Sequence, residues 1–510
     1  MADERQTQLA RAASLVMAAF LLSRALGLGR EIIIGNQFGT SRELDAYLAA
    51  FRVPDLIFQL IAGGALGSAF IPTFTGYLAQ GRAREAWRLA SSVANIVLAV
   101  LTASAALAAF LAPWLVRHVV APGFTPQEQA LTAHLMRWML IAPVVFGLSG
   151  VVMGILNSYQ HFLLPALAPA VYNLAIIAGA VLLAPSIGVY GLVIGVVAGS
   201  LLHLGIQLPQ LVRQGASYRP TIDLHDPGVR EVGRLMGPRI LGLATVQVNF
   251  LVNTFLASGL AAGSLASLNY AWMLMLLPQG IFAMGIATAV FPTFSDLAAR
   301  GRTEELRVTL SETLRMILFL AIPSTVALIV LREPLVQLLL QRGRFDPSST
   351  QSVAWALQFY ALALVAHSAL EIVTRGFYSL HDTRTPVVVG TGAMALNVIL
   401  SLLLVGPLLH GGLALANSVA TILETAMLAI LIRKRLGGLE GRALLRSAAK
   451  TTVAAALMGV VIVGFSALSQ GSHVLIRAGG AILVGGLSFL LLSLALHSDE
   501  LRTLRLVAKR

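Results

Sequence analysis

The stretch AFIPTFTGYLAQGR at residues 69–82 returns as AVFPTFSDLAARGR at 289–302, an offset of 220. Three further pairs keep the same order. PWLVRHVVAPGFTP at 113–126 matches PLVQLLLQRGRFDP at 334–347, GILNSY at 154–159 matches GFYSLH at 376–381, and SRALGLG at 23–29 echoes PRILGLA at 238–244. A long-period repeat of this kind indicates a duplicated structural unit. Its surroundings say what kind: the 510 residues are 57% hydrophobic and 12% charged, with mean hydropathy +0.81. Soluble domains carry about 25% charged residues. The composition therefore excludes a soluble enzyme, a disordered chain and a nucleic-acid binder.

A bilayer core takes about 20 mostly apolar residues per helix. Read at that length, the chain predicts fourteen spans, at 10–35, 45–75, 89–116, 131–156, 163–185, 190–212, 236–258, 267–295, 308–331, 351–374, 387–405, 412–432, 451–468 and 478–497. The first is too long and too polar at its middle for a cleaved signal peptide. With the N-terminus inside, the inner segments carry 24 Lys and Arg, counting Arg11 at the edge of the first span, and the outer ones carry six. That bias fits an even number of helices with both termini cytoplasmic, and it accounts for the net charge of +13 without an acidic partner. Zero cysteines exclude disulfides and thiolate chemistry.

Each repeat holds six spans. An even count gives both repeats one orientation, related by an axis along the membrane normal with a substrate path between them. The expected organisation is all-α: a six-helix lobe at 1–220, a second at 221–436, and two extra helices at 437–510. No P-loop occurs, so ATP hydrolysis is not expected of this chain.

Charge inside a span costs roughly 2.5–3.5 kcal/mol on insertion scales, so such residues are functional candidates. The first span carries Arg24, Arg30 and Glu31; Arg24 and Glu31 share a face, with Arg30 turned about 120° away. The second carries Asp45, then Arg52 and Asp55 around Pro54, three apart and able to pair. Arg239 lies near the inner end of span seven, within reach of water by snorkelling. A guanidinium donates two parallel hydrogen bonds to a phosphate, so the arginines suggest a cationic cavity for an anionic headgroup. The plainer alternative is internal pairing that fixes helix packing. His367 and Glu371, four apart on span ten, and Glu424 on span twelve could relay protons or bind a coupling ion, but satisfied interhelical hydrogen bonds explain them more simply. Arg137 and Arg315 lie near span ends, and His118, His161 and His410 lack metal-ligand spacing. Glycines at 63, 64, 67, 280 and 285, with Pro165 and Pro169, suit close packing or bending of spans.

SRALGLGRE (23–31), DAYLAAFRVPDL (45–56), GGALGSAFIPTF (63–74), APGF (121–124), GILNSYQHFLLPALAPAVYNLA (154–175), MGPRILG (236–242) and FYSLHDTRTP (377–386) resemble the MurJ/MviN lipid II flippases of the MATE-like exporter superfamily. The resemblance covers nearly the whole chain. It implies a flippase that moves undecaprenyl-pyrophosphate-linked disaccharide-pentapeptide to the outer leaflet of the bacterial cytoplasmic membrane. It implies headgroup-facing roles for Arg24, Arg30, Glu31, Asp45 and Arg52, and a lipid-tail groove at the last two helices. No cofactor or metal is implied. Membrane potential and a monovalent cation both stand open as the driving force, and cell-wall enzymes as further partners. The chain departs from the family pattern at Phe58, Gln59 and Gly63, where arginines and a glutamate are common, and at Trp272 and Met273, where an aspartate and a cavity arginine are common. Alternatives are an exporter of another lipid-linked glycan or amphipathic solute, and a non-transporting scaffold for envelope synthesis. A membrane glycosyltransferase is disfavoured by short outer loops without a carboxylate pair.

Overall fold

A backbone crossing a lipid layer finds no water to bond, so each crossing must close its own hydrogen bonds as a helix. The computed structural model is helical on this principle, with no strand among the described residues. It describes the backbone of residues 2–61 and 65–501, and their side chains apart from 2–14, 65, 68, 238–239 and 241–246. Contacts divide the chain into two units, Met1–Leu265 with Arg342–Phe345, and Ala266–Gln341 with Asp346–Arg510.

The first unit contains α1 (Ala2–Phe38), α2 (Arg42–Ile61), α3 (Ala65–Ala79), α4 (Ala83–Leu115), α5 (Pro126–Met139), α6 (Ile141–Ser158), α7 (Leu163–Ala178), α8 (Ala184–Ile187), α9 (Tyr190–Gly205), α10 (Leu208–Arg213) and α11 (Pro227–Ser258). Here α7 packs on both α1 and α9, α6 on α3 and α4, and α11 on α2 and α3. The α7–α9 seam is lined with glycine because the backbones nearly touch. A Cβ on Gly179 would lie 2.3 Å from the carbonyl oxygen of Gly191.

The second unit contains α12 (Ser264–Pro278), α13 (Met284–Ala299), α14 (Thr303–Val330), α15 (Arg332–Leu340), α16 (Pro347–Leu362), α17 (Leu364–Ser379), α18 (Arg384–Leu408), α19 (His410–Arg435), α20 (Gly441–Leu468) and α21 (Ala481–Ala495). One core cluster joins Phe294, Leu310, Ile317, Ile372, Phe377 and Leu428 across four of these helices. Another binds α20 and α21 to α14 through Phe319, Met458, Ile462 and Phe489.

Among the described residues, ten helices are long and apolar enough to cross a membrane, or eleven if α16 and α17, bent by 42° at their junction, form one broken span. The chain is therefore a multi-pass membrane protein. The other three expected spans fall on α1, on α2 with α3, and on α11, where the charges singled out in the sequence are concentrated.

The repeat is visible bond by bond. Gly81 and Gly301 both have positive φ (70° and 68°), and the next residue's N–H reaches back to Tyr77 O at 3.0 Å in one copy and Leu297 O at 2.9 Å in the other. Each turn is followed by an i,i+3 ion pair, Arg82–Glu85 and Arg302–Glu305. Thr125 with Pro126 starts α5, and Asp346 with Pro347 starts α16, each side chain accepting from a first-turn N–H. Outside the membrane spans, those backbone and serine donors hold the Asp346 carboxyl below the usual aspartate range. Gln160 and His381 take matching positive φ values of 61° and 58°.

The glycine seam makes a direct test. Gly179→Ala should lower thermal stability by about 1–3 kcal/mol through backbone overpacking. Gly205→Ala, whose added methyl meets nothing within 4 Å, should leave it nearly unchanged. Thermal unfolding of the two purified variants measures the difference.

Candidate functional site

The charges that the sequence singled out on α1 and α2 are bonded to distant parts of the chain. On α1, Arg30 bonds its own neighbour, with Nη2 2.5 Å and Nε 3.2 Å from Glu31 Oε1. Its Nη1 donates to Asn173 Oδ1 on α7 at 3.0 Å. Asn173 in turn donates to the carbonyl of Ser23 at 3.3 Å, tying α7 to α1 on either side of Arg24 and Arg30. The guanidinium is thus aimed while a quarter of the side chain stays accessible (26%). Arg24, a little under two turns earlier, is exposed.

On α2, Arg52 turns toward α11. Its Nε donates to Thr254 Oγ1 at 2.9 Å, and its guanidinium stands 5.4 Å from the Phe250 ring centroid. Asp55 does not pair with it. Among the described residues Asp55 accepts one long contact, 3.5 Å from Gln59 Nε2, and lines a cavity of about 530 Å³ inside the unit. Asp45 is 2% exposed, and its Oδ2 accepts the Gly263 N–H at 2.7 Å. Gly263 has φ +81°, and a Cβ there would lie 2.2 Å from Thr40 O. Asp45 therefore acts in this state as a clamp on the turn between α11 and α12. The side chain of Arg239, on α11, lies outside the described residues, as do Gly63 and Gly64.

Two loops close the same end of the unit. Gly123 N donates to Ser258 Oγ at 3.0 Å, with Gly259 so near that a Cβ on Gly123 would lie 2.4 Å from its Cα. Arg344 N donates to Asn36 O at 2.9 Å, and a Cβ on Gly343 would lie 2.3 Å from Asn36 Oδ1. These loops are APGF (121–124) and RGRF (342–345), partners in the sequence repeat. Their phenylalanines, Phe124 and Phe345, are both buried.

Most of the other polar residues that the sequence singled out have partners. Glu371 pairs with Arg375. His367 Nε2 lies 3.5 Å from both Asn417 Oδ1 and Thr421 Oγ1, with the Trp272 ring set edge-on at 5.4 Å. Trp272 also packs edge-on against Tyr360 at 5.2 Å, and Met273 is half-buried beside it. Arg315 meets Glu500 at 3.6 Å, Arg137 donates to Ala109 O at 3.0 Å, and His410 bonds Ser352 O at 2.9 Å. Glu424 faces Gly390 across the α18–α19 contact. No cluster of three metal-ligating residues occurs among the described residues.

Sequence reasoning missed Asn173, Thr254 and Gly263. Asn173 had a signal, a lone amide within the apolar run AVYNLAII, whereas Thr254 had none, since threonine is common in spans.

Repeated apolar helical crossings with glycine-tight packing define a polytopic membrane protein. The model of the MurJ lipid II flippase family matches residues 34–479. A Burkholderia cenocepacia protein named lipid II flippase MurJ is 32% identical over 433 residues, 83% of this chain and 84% of that one. A MurJ relative from Vibrio cholerae serotype O1 is 31% identical, with 82% of each chain covered. A solved lipid II flippase MurJ in its inward closed conformation superposes with TM-score 0.82 at 26% identity, covering 95% of this chain and 99% of that one. An inward-facing MATE family transporter of the MOP superfamily shares the fold, with TM-score 0.72 at 15% identity over 83% of this chain and 98% of that one. The chain belongs to the MurJ lipid II flippase family.

Asp45→Ala should leave the Gly263 N–H without its carboxylate acceptor and lower stability by about 1–3 kcal/mol. Asp45→Asn, which keeps an oxygen acceptor, should recover most of the loss. Thermal unfolding combined with protease cleavage at 259–263 reports both effects.

Proposed function

We propose that the protein flips lipid II, the undecaprenyl-pyrophosphate-linked disaccharide-pentapeptide, from the inner to the outer leaflet of the bacterial cytoplasmic membrane by alternating access. Membership of the MurJ family supports the substrate. The observation that carries the chemistry is Arg30: a guanidinium inside a helical crossing, oriented by Asn173 and Glu31 and still partly accessible. Such a group matches a pyrophosphate in charge and in hydrogen-bond geometry. Arg24 supplies a second guanidinium on the same helix, and Arg52 a third on α2. Glu31 holds Arg30, while Asp45 and Asp55 would act on closure and local charge balance rather than on phosphate.

The remaining organisation follows the repeat. Fourteen crossings, two six-span lobes at 1–220 and 221–436 and an accessory pair at 437–510 place both termini in the cytoplasm, in keeping with the Lys/Arg bias. The accessory pair would provide the lipid-tail groove. Transport needs no cofactor, and the membrane potential or a monovalent cation supplies the drive. Cell-wall enzymes are the natural partners. A second reading, export of another lipid-linked glycan, draws on Trp272 and Met273, which stand where relatives carry charge.

Depleting the protein in its own host and measuring lipid II sidedness tests the function: accumulation on the inner leaflet is expected, and unchanged sidedness would exclude it. Arg24→Ala and Arg30→Ala should abolish complementation with normal membrane insertion, and full activity of both would refute the headgroup role. Arg239→Ala should weaken lipid II translocation less than Arg24→Ala at matched expression, because Arg239 lies near the inner interface, and Met273→Arg should be tolerated.

A further inference from the structure

Residues 214–226 connect α10 to α11 and so join the two sequence repeats. A connection between repeats can be a slack polymer. This one is gripped by a helix of the first repeat. Within the apolar run of α4, Arg88, Ser91 and Asn95 are spaced three and four apart and therefore share one face. All three bond the connection. Ser91, 3% exposed, accepts the Arg219 N–H at 3.1 Å. Asn95 Nδ2 donates to Thr221 O at 2.9 Å and to Arg219 O at 3.3 Å, and its Oδ1 accepts the Tyr218 hydroxyl at 2.9 Å. Arg88 Nη2 meets Asp223 Oδ2 at 2.6 Å.

The grip continues into α11 without a loose residue. Asp223 Oδ1 accepts the N–H groups of His225 and Asp226 at 3.0 and 3.1 Å. Asp226 then caps α11, accepting from Gly228 N at 2.8 Å and Val229 N at 3.3 Å. Arg230 Nε reaches back to Leu224 O at 3.1 Å. The first turn of α11 also seats closely, since a Cβ on Gly228 would lie 3.0 Å from the Tyr77 ring and 3.1 Å from Leu89. Water satisfies the backbone of an ordinary surface loop. Three side chains on one helix face are not needed for that, and what they add is position.

We infer that residues 218–226 are a strap that docks the start of α11 on α4, with Arg88, Ser91 and Asn95 as positioning residues for transport. Their reach comes through α11, which carries Thr254, the partner of Arg52, and also residue 239. The docking is independent of the molecule carried. Its effect on transport rests on the lipid II reading.

Hydrogen exchange and lipid II translocation by the full-length protein in proteoliposomes test the two parts. Asn95→Ala should speed amide exchange at 228–235 and lower translocation, each several-fold, with an unfolding midpoint near wild type. Arg88→Ala should act in the same direction, and Arg88→Lys, which keeps the cation, should recover most of the loss; an exposed ion pair adds little to global stability. A Gly-Ser-Gly-Ser insert after Gly215, ahead of the strap, should be tolerated. The same insert after Leu224, between strap and helix, should not. The docking is overturned by unchanged exchange at 228–235 in Asn95→Ala, by inserts that act alike, or by Arg88→Lys no better than Arg88→Ala. Normal translocation in variants whose exchange has risen overturns the positioning role. If a substituted variant unfolds, the insert pair decides. A wild type that does not move lipid II would sink the substrate reading, and exchange would still decide the strap.

Discussion

A guanidinium on a largely apolar helix is costly unless protein bonds it, and in the first unit both Arg30 and Arg52 are bonded. Arg30 is held by Glu31 from its own helix and by Asn173 from α7. Arg52 is held by Thr254 and Phe250 from α11. Each arginine thereby joins helices that the hydrophobic effect cannot join, since lipid tails are as apolar as the helix surfaces. The internal pairing that the sequence left as one of two readings is visible in these bonds, and the Arg30 guanidinium they orient stays partly exposed.

Much of the fold was legible because duplication writes local rules twice. GR ends each PTF segment, and both copies form a turn there with a left-handed glycine and a following Arg–Glu pair. Proline after threonine or aspartate stands at matching helix starts, Pro126 and Pro347, in the two copies. Hydropathy located the apolar crossings, and the bend between α16 and α17 escaped it because an unbroken apolar run says nothing about direction.

The site was legible only as a list of charges. Arg24, Arg30, Arg52 and Asp45 stood out by cost, but their partners are cheap residues in a membrane. An asparagine, a threonine and a glycine N–H draw no notice in a helical span, and spacing cannot pair residues more than 140 positions apart. Asp45 shows the consequence. By composition it belonged with a headgroup site, yet its burial and its bond to Gly263 make it part of a closure in which backbones meet with no room for a side chain. The substitutions Phe58 and Trp272 likewise make sense only in space, where each completes an aromatic cluster.

The bond between Arg52 and Thr254 spans 202 residues, and a ribosome adds about 5–20 residues per second. Arg52 is therefore synthesised roughly 10–40 s before its partner. For that interval α2 carries an arginine whose permanent host is still being translated. Biogenesis of this protein is thus a wait as much as an insertion, and the speed of translation through the first half sets how long the half-built chain stays exposed to quality control.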